Sequence, residues 1–522
     1  MPAISQGSLA SPQSHLSAPA QRALQYYRAN TARHLSGYFH DDFWTTLVLQ
    51  VGHRDHCVSY ALVALASLHE HFHTEATERS SLTAKKAGES PQTVAPSALS
   101  TPMHHAVSYY AEAVRRLQAK ISSTGGDEVE ATLLCCLLLA GFELLRGHHE
   151  AAQVHLHGSA SLLQAWQDQQ KSNRGGSLWS PRGYFIRERL GPLFHRMALQ
   201  AVLFSHAGPT SSSLQFQGDG AAFVPSMEDR HDKKNNKERS SPDKTGVRVA
   251  SPTEARDMLY RLIWQLYLLP EGRQDSLKCA RKKRARAKER DSFIRSLHQW
   301  HEALSDYLKK HPVDGASSDM LKLFHATAQV MIPTCMSDDQ MAFDSFAAQF
   351  NEITDLAENL LFPCSPSTPP PPTPLSAAPG SGSTNGSRAP PLPRLLPSPA
   401  GQDVSYFFSL DMGVLHLLYY VAIRCRVAAT RFRALELLRR AQARREGVWD
   451  GAATALVAGR VVAMEEEARQ EGVETGDGSS GCIPASARVG SVWTETDLEN
   501  RRVVLRCGWQ RDMESSEEVL AW

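Results

Sequence analysis

The sequence contains no cysteine pair spaced C-x-x-C, and its nine cysteines are scattered, with only Cys135 and Cys136 adjacent. That leaves a cysteine-rich structural zinc site without support and argues for a reducing compartment over a disulfide framework. A surplus of one charge is missing too: 56 Lys and Arg stand against 55 Asp and Glu, for a net charge of +1. No global field therefore draws in nucleic acid or an anionic membrane, and any such contact must be local. Long apolar runs are also lacking. The longest, Ala131 to Phe142 (ATLLCCLLLAGF), stops at Glu143, well short of the roughly 20 residues that cross a bilayer. It reads as a buried helix. The first 20 residues have neither the basic start nor the apolar stretch of a signal peptide, so an intracellular protein without membrane contact is expected. Alternating strand and helix units are absent, and only Val503-Val504-Leu505 has strand character. No sheet of any size is expected.

What the chain does have is helical periodicity. Leu24, Tyr27 and Thr31 open an amphipathic segment running toward Leu35; Phe43, Trp44, Leu47 and Val48 form a second; Val58, Leu62, Leu65, Ala66 and His69 form a third. Val129 to Leu145 and His148 to Trp166 read as a helical hairpin broken at Arg146-Gly147. Further helices are expected at about 185–204, 254–269, 406–426, 429–440 and 448–467. Three polar stretches interrupt the pattern, at 74–101, 211–250 and the Pro, Ser and Gly tract 364–400. They bury too little apolar surface to fold and are expected to be disordered insertions. The fold expected is all-α, with stacked helical hairpins forming one large domain over 20–510, a disordered N-terminus at 1–19 and a tail at 511–522.

Candidate chemistry begins with His69-Glu70-His71-Phe72-His73, a literal H-E-x-x-H. On a helix, histidines at i and i+4 share a face and can reach one zinc ion while the Glu polarises its water. The extended zinc-peptidase pattern fails, since Ala76 and Arg79 stand where Gly and His belong. Lying just before the 74–101 stretch, the motif reads better as the last turn of a helix, where histidine suits the macrodipole. A zinc metallohydrolase remains a remote alternative. In GHHEAAQVHLHG (147–158), His148 and His155 share a face, but their backbones lie about 10 Å apart along the axis. Interhelical hydrogen bonding is the expectation there. The sequence carries no G-x-S-x-G elbow and no G-x-x-x-x-G-K-[ST] loop. Gly476, Gly478 and Gly481 match G-x-G-x-x-G without a preceding strand, which points to a loop. No catalytic residue, metal ligand or cofactor is expected.

The densest charge feature is CARKKRARAKER, with Arg281, Lys282, Lys283, Arg284, Arg286, Lys288 and Arg290 inside ten positions. Such a run suits a nuclear import receptor or a phosphate backbone. The plainer reading is a solvated entry into a helix continuing through Phe293, Leu297 and Trp300. No aromatic residues are interleaved for base stacking, so nuclear localisation is the functional expectation and direct DNA binding is not.

Several stretches, taken together, resemble the regulatory region of fungal six-cysteine binuclear zinc-cluster transcription factors. They are residues 23–50, with the Phe43-Trp44 pair; 58–70; 133–163, with FELLRG at 142–147; 253–266; and 417–451, with REGVW at 445–449. The resemblance implies an all-helical domain that controls a DNA-bound regulator, often of metabolic or secondary-metabolite genes. The family's C-x2-C-x6-C cluster is absent from these residues, where the first cysteine is Cys57. Either the cluster lies in sequence upstream of Met1 or the protein acts through partners. The expectation is therefore a nuclear, non-catalytic transcription regulator that works through transcriptional protein partners or an effector and is met by an import receptor. A cytosolic helical interaction scaffold is the alternative.

Overall fold

The computed structural model describes residues 16–39, 41–85, 101–123, 128–172, 181–205, 247–267, 280–335, 339–363, 406–474, 483–509 and 515–522. Helix dominates them. α1 (Ala18–Tyr26) starts with a proline in its first turn, where no amide hydrogen is missed, and passes through a π-wound turn at Tyr27–Thr31 into α2 (Ala32–Ser36). The Phe43-Trp44 pair opens a second π-wound turn, Phe43–Leu47, which continues as α3 (Val48–Arg54). Both aromatic side chains are buried.

α4 (His56–Lys85) starts where the Asp55 carboxylate accepts the Val58 amide at 3.0 Å. It does not end at His73. Threonines and alanines carry it on to Lys85, and α5 (Thr101–Ser123) packs back along it. The expected disordered insertion at 74–101 is thus corrected to begin no earlier than residue 86, and 86–100 lie outside the described residues. Propensity explains the extension: Glu75, Ala76, Glu78 and Arg79 are adequate helix formers even without an apolar stripe.

α6 (Val129–Arg146) is the centre of the fold. Every residue from Ala131 to Leu145 is buried, against α4, α5 and α7 (His149–Ser172). No described helix is long and apolar enough to cross a membrane. Gly147 ends α6 in the left-handed region at φ 83°, and the His148 amide reaches back to the Glu143 carbonyl at 2.9 Å. A Cβ there would also sit 2.4 Å from Leu498 Cδ1, so glycine is required twice over. The expected hairpin is present.

α8 (Pro181–Tyr184) leads through a π-wound turn into α9 (Gly191–Ser205). α10 (Pro252–Tyr267), α11 (Ala280–Lys310), α12 (Gly315–Thr334) and α13 (Ala347–Leu361) form a second helical layer. Trp300 Nε1 donates to the Ala255 carbonyl at 2.8 Å and ties α11 to α10.

The expected all-α class holds, and among the described residues the C-terminal third adds two small three-stranded sheets to it. β1 (Phe407–Ser409) precedes α14 (Leu415–Arg424) and α15 (Ala428–Arg440), and it pairs in parallel with β2 (Arg444–Glu446), which turns antiparallel into β3 (Trp449–Asp450). α16 (Gly451–Glu474) starts only after Asp450, whose carboxylate accepts the Ala452 and Ala453 amides. β4 (Val489–Asp497), β5 (Arg502–Trp509) and β6 (Ser515–Ala521) then form an antiparallel three-stranded sheet that lays Val492, Val503, Leu505 and Cys507 on α16. The expectation of no sheet is overturned, and residues 515–521 of the expected tail are a strand of it. Only one face of that sheet is buried, so its strands carry few apolar residues and read weakly in sequence. At the other end, Leu16 is buried and α1 begins at Ala18, within the stretch expected to be disordered. One continuous core joins Leu24, Phe142, Trp264, Leu418 and Leu505. The polar stretches 211–246 and 364–400 lie outside the described residues.

Candidate functional site

The basic segment occupies the first three turns of α11. Arg284 and Lys288 are exposed and Arg290 is half-buried, its guanidinium 3.3 Å from Asp291. The side chains of Arg281, Lys282, Lys283 and Arg286 lie outside the described set, although their backbone is helical. Ala287 is half-buried like Arg290, and large apolar side chains follow at Phe293 and Ile294 and are fully buried at Leu297, Trp300 and Leu304. This segment therefore presents cationic groups on a helical stem seated in the second layer. Exposed Arg284 and Lys288 fit the solvated helix entry of the plainer reading.

The H-E-x-x-H residues are not arranged around a metal. His69 is fully buried, with Nδ1 2.9 Å from Thr31 Oγ1 and Nε2 3.1 Å from His34 Nδ1. The bonding pattern gives His69 its proton on Nε2, donated to His34, while the Thr31 hydroxyl donates to Nδ1. Both nitrogens are committed. His73 Nδ1 lies 2.8 Å from the Tyr26 hydroxyl, and Glu70 turns outward to Arg22 at 2.5 Å instead of toward a shared ion. Burial, then His73 and Arg444, lower the His34 pKa to about 4, and burial lowers that of His69 as well. His34 and His69 form a hydrogen-bonded pair held neutral by burial, and with His73 on Tyr26 they dock α4 on α1, α2 and β1. Among the described residues, no group of three or more His, Cys, Asp or Glu is placed to hold a metal ion.

In the second histidine stretch, His155 bonds the Tyr110 hydroxyl of α5 at 2.9 Å, as interhelical bonding requires. His148 bridges Glu143 at 3.0 Å and Glu499 at 2.8 Å. Cys135 and Cys136 are buried, and burial raises the Cys136 thiol to about 11, which leaves it unreactive at neutral pH.

Sequence reading missed a buried ionic cluster that joins three distant segments. Arg196 of α9 donates from Nε to Asp411 at 2.7 Å and from Nη1 to Asp257 at 2.8 Å. Arg256 of α10 reaches the other Asp411 oxygen at 2.9 Å and Asp257 at 3.1 Å. Burial by itself would lower the Arg196 pKa, but Asp411 and Asp257 hold it above the usual value. Burial would raise that of Asp257, and Arg256 and Arg196 bring it down. Two arginines and two aspartates pair directly in this lock, and Arg261 also acts on Asp257.

A family model for the fungal specific transcription factor domain matches residues 22–361. The chain belongs to that family. The aspercryptin biosynthesis cluster-specific transcription regulator atnN of Emericella nidulans is 36% identical over 96 residues. That stretch is 18% of this chain and 15% of the relative, so the match spans under a fifth of the relative's length. No solved structure matches.

The fungal transcription factor domain thus runs from α1 to the last residue of α13, and the resemblance read in residues 417–451 falls outside the matched span. The ionic cluster ties that later segment to the domain: Arg196 and Arg256 lie inside it and Asp411 beyond it. Gln200 Nε2, also inside, donates to the Leu410 carbonyl at 2.7 Å. A Cβ on Gly447, at φ 62° in the β2–β3 turn, would fall 1.5 Å from Gln200 Oε1. A second lock is wholly C-terminal. Glu465, fully buried in α16, accepts from Arg426, from Arg431 and from the Val489 amide that begins β4.

Proposed function

We propose that the protein is a nuclear regulator of transcription that acts on a metabolic or secondary-metabolite gene set by binding partners rather than by catalysis. The observation that carries this reading is the fungal transcription factor domain match across 22–361. The relative whose name assigns it to one biosynthetic cluster supports the choice of gene set. The histidine motif is spent on packing α4, which supports a reading without hydrolysis at that motif. The basic start of α11 is the import signal in this account, with its exposed cations read by the acidic groove of an import receptor. Transcriptional protein partners that dock on the helical domain are part of the proposal.

The experiment is localisation and transcript profiling of tagged full chain in a fungal host. Wild type should accumulate in nuclei, and alanine at Arg281, Lys282, Lys283 and Arg284 should shift it to the cytosol. Overexpression should change transcripts of a co-regulated biosynthetic set. A cytosolic wild-type protein with no transcript response would favour the interaction scaffold and overturn the proposal.

A further inference from the structure

β6 is an edge strand, and among the described residues it is paired on one side only. It follows β5 in unbroken register, from Ser515 opposite Gly508 to Ala521 opposite Arg502, and it ends the β4-β5-β6 order. Beyond it the Trp522 amide donates to the carbonyl of Arg501, directly opposite, at 3.1 Å. Hydrogen-bonded and unbonded positions alternate along an antiparallel pair. Trp522, Leu520, Glu518 and Ser516 therefore turn their amides and carbonyls toward β5, while Ala521, Val519, Glu517 and Ser515 turn theirs to the open side.

The devices that usually blunt such an edge are missing. The strand reads SSEEVLA, with no proline or lysine and no bulge against β5. Its two carboxylates are engaged within the chain, Glu517 by Arg506 at 2.6 Å and Glu518 by Arg460 at 2.7 Å. The other edge of the sheet is treated differently: at the start of β4 the Val489 amide donates to Glu465 and the Gly490 carbonyl accepts from Arg424. On the outer face Val519 stands 62% exposed between Glu517 and Ala521, beside half-buried Val504 of β5. A short aliphatic row thus reaches the open edge and stops there.

The charge pattern selects a second copy of the same strand as the occupant. Two β6 strands can meet antiparallel about a twofold axis, and outward positions must then face outward positions. An axis at Glu517 sets that carboxylate against the partner's Glu517, and an axis at Glu518 does the same on the inner face. Axes nearer either end of the strand pair fewer residues. An axis at Val519 avoids these faults: Val519 faces the partner's Val519, and Glu517 faces the partner's Ala521, whose neighbour on β5 is Arg502. Each glutamate then has a cation across the junction, and three facing pairs exchange about six backbone hydrogen bonds. The aliphatic row runs on through both copies.

We infer that β6 joins its counterpart in a second copy of this chain, antiparallel about Val519, so that the two C-terminal sheets become one continuous sheet with an α16 from each copy on its buried face. The claim concerns self-association alone and stands whether or not the transcriptional reading holds.

The test is analytical ultracentrifugation of purified full chain, diluted from about 100 μM to about 0.1 μM, with wild type beside Val519→Lys and Val519→Glu. Both substitutions fall on an exposed side chain and should leave the fold intact, which circular dichroism checks. The expected result is a wild-type dimer that dissociates on dilution, with association of each variant at least about tenfold weaker because like charges meet on the axis. An equimolar mixture of the two variants should recover the dimer, since a cation then faces an anion. The mixture also tests the register: were Val519 opposite the partner's Glu517, Val519→Lys alone would strengthen the dimer, which would overturn the inference. A wild type that stays monomeric throughout leaves the edge to a strand of another protein and overturns it too. So does a dimer that both variants leave intact, or a mixture that remains monomeric.

Discussion

Replacing Asp411 by alanine removes the anion shared by two arginines whose side chains are only 4% and 3% exposed. The two hydrogen bonds it accepts, at 2.7 and 2.9 Å, cannot be replaced by bulk water at that depth. Asp257 alone is left to balance Arg196 and Arg256. Removing one partner of a buried ion pair costs about 3–5 kcal/mol, most of it the uncompensated charge left behind. The comparison is Arg433→Ala, which breaks contacts to Asp355 and Glu358 made by a side chain 43% exposed. Exposed pairs of that kind contribute at most about 1 kcal/mol. In urea unfolding followed by circular dichroism at neutral pH, the Asp411→Ala midpoint should therefore drop several times further than that of Arg433→Ala. Arg256→Met in the Asp411→Ala background restores charge balance by leaving Arg196 paired with Asp257, and it should recover part of the loss. A double-mutant cycle should give a coupling of roughly 1–3 kcal/mol. Equal midpoints for the two single variants, or a cycle with no coupling, would refute the assignment of this cluster as the lock between α9, α10 and the segment after β1.

Other perturbations address the remaining devices. Glu465→Gln keeps the shape but takes the anion from Arg426 and leaves Arg431 only Glu466 at 3.9 Å, and should destabilise by about 2–5 kcal/mol in the same assay; a neutral result would show that the pair is not buried as described. Gly447→Ala forces a side chain into the left-handed region, at about 1–2 kcal/mol before the collision with Gln200 is counted, so a variant as stable as wild type would contradict the β2–β3 turn. His149 and His195 both have pKa values lowered to about 4, chiefly by burial. Folded protein refuses protons that unfolded chain accepts below about 6.5, so stability is full above that pH and falls as pH drops toward 4, each imidazole adding up to about 1.4 kcal/mol per pH unit. Urea midpoints that stay level between pH 7 and pH 5 would count against neutral buried imidazoles.

The helical part of this fold was legible because periodicity and punctuation agreed. The all-apolar run 131–142 could only be a buried helix, and Gly147 had to end it. The low hydrophobicity after His73 resembles disorder, whereas helix propensity carries α4 on to Lys85 with α5 packed along it. The C-terminal sheet was hidden for a related reason. In β5 the inward set is Val503, Leu505 and Cys507, while Arg502 and Arg506 face outward, and β6 contributes glutamates that pair with Arg460 and Arg506. Half-solvated strands this polar resemble loops. The basic run was visible as composition alone. The Asp411 and Glu465 clusters carry no local signature, since their members are brought together from sequence separations of up to 215 residues. The H-E-x-x-H match shows the converse: a short motif whose residue types are right but whose neighbours, Thr31 and His34, claim the nitrogens a metal would need.

The central claim is that this fungal transcription factor domain protein works in the nucleus on gene expression. The most direct measurement follows tagged full chain by microscopy and total transcripts by sequencing in one fungal host, with wild type beside the variant carrying alanine at Arg281, Lys282, Lys283 and Arg284. The account predicts nuclear wild type with a co-regulated biosynthetic gene set altered, and loss of both in the variant. Wild type confined to the cytosol, with an unchanged transcript profile, would contradict it.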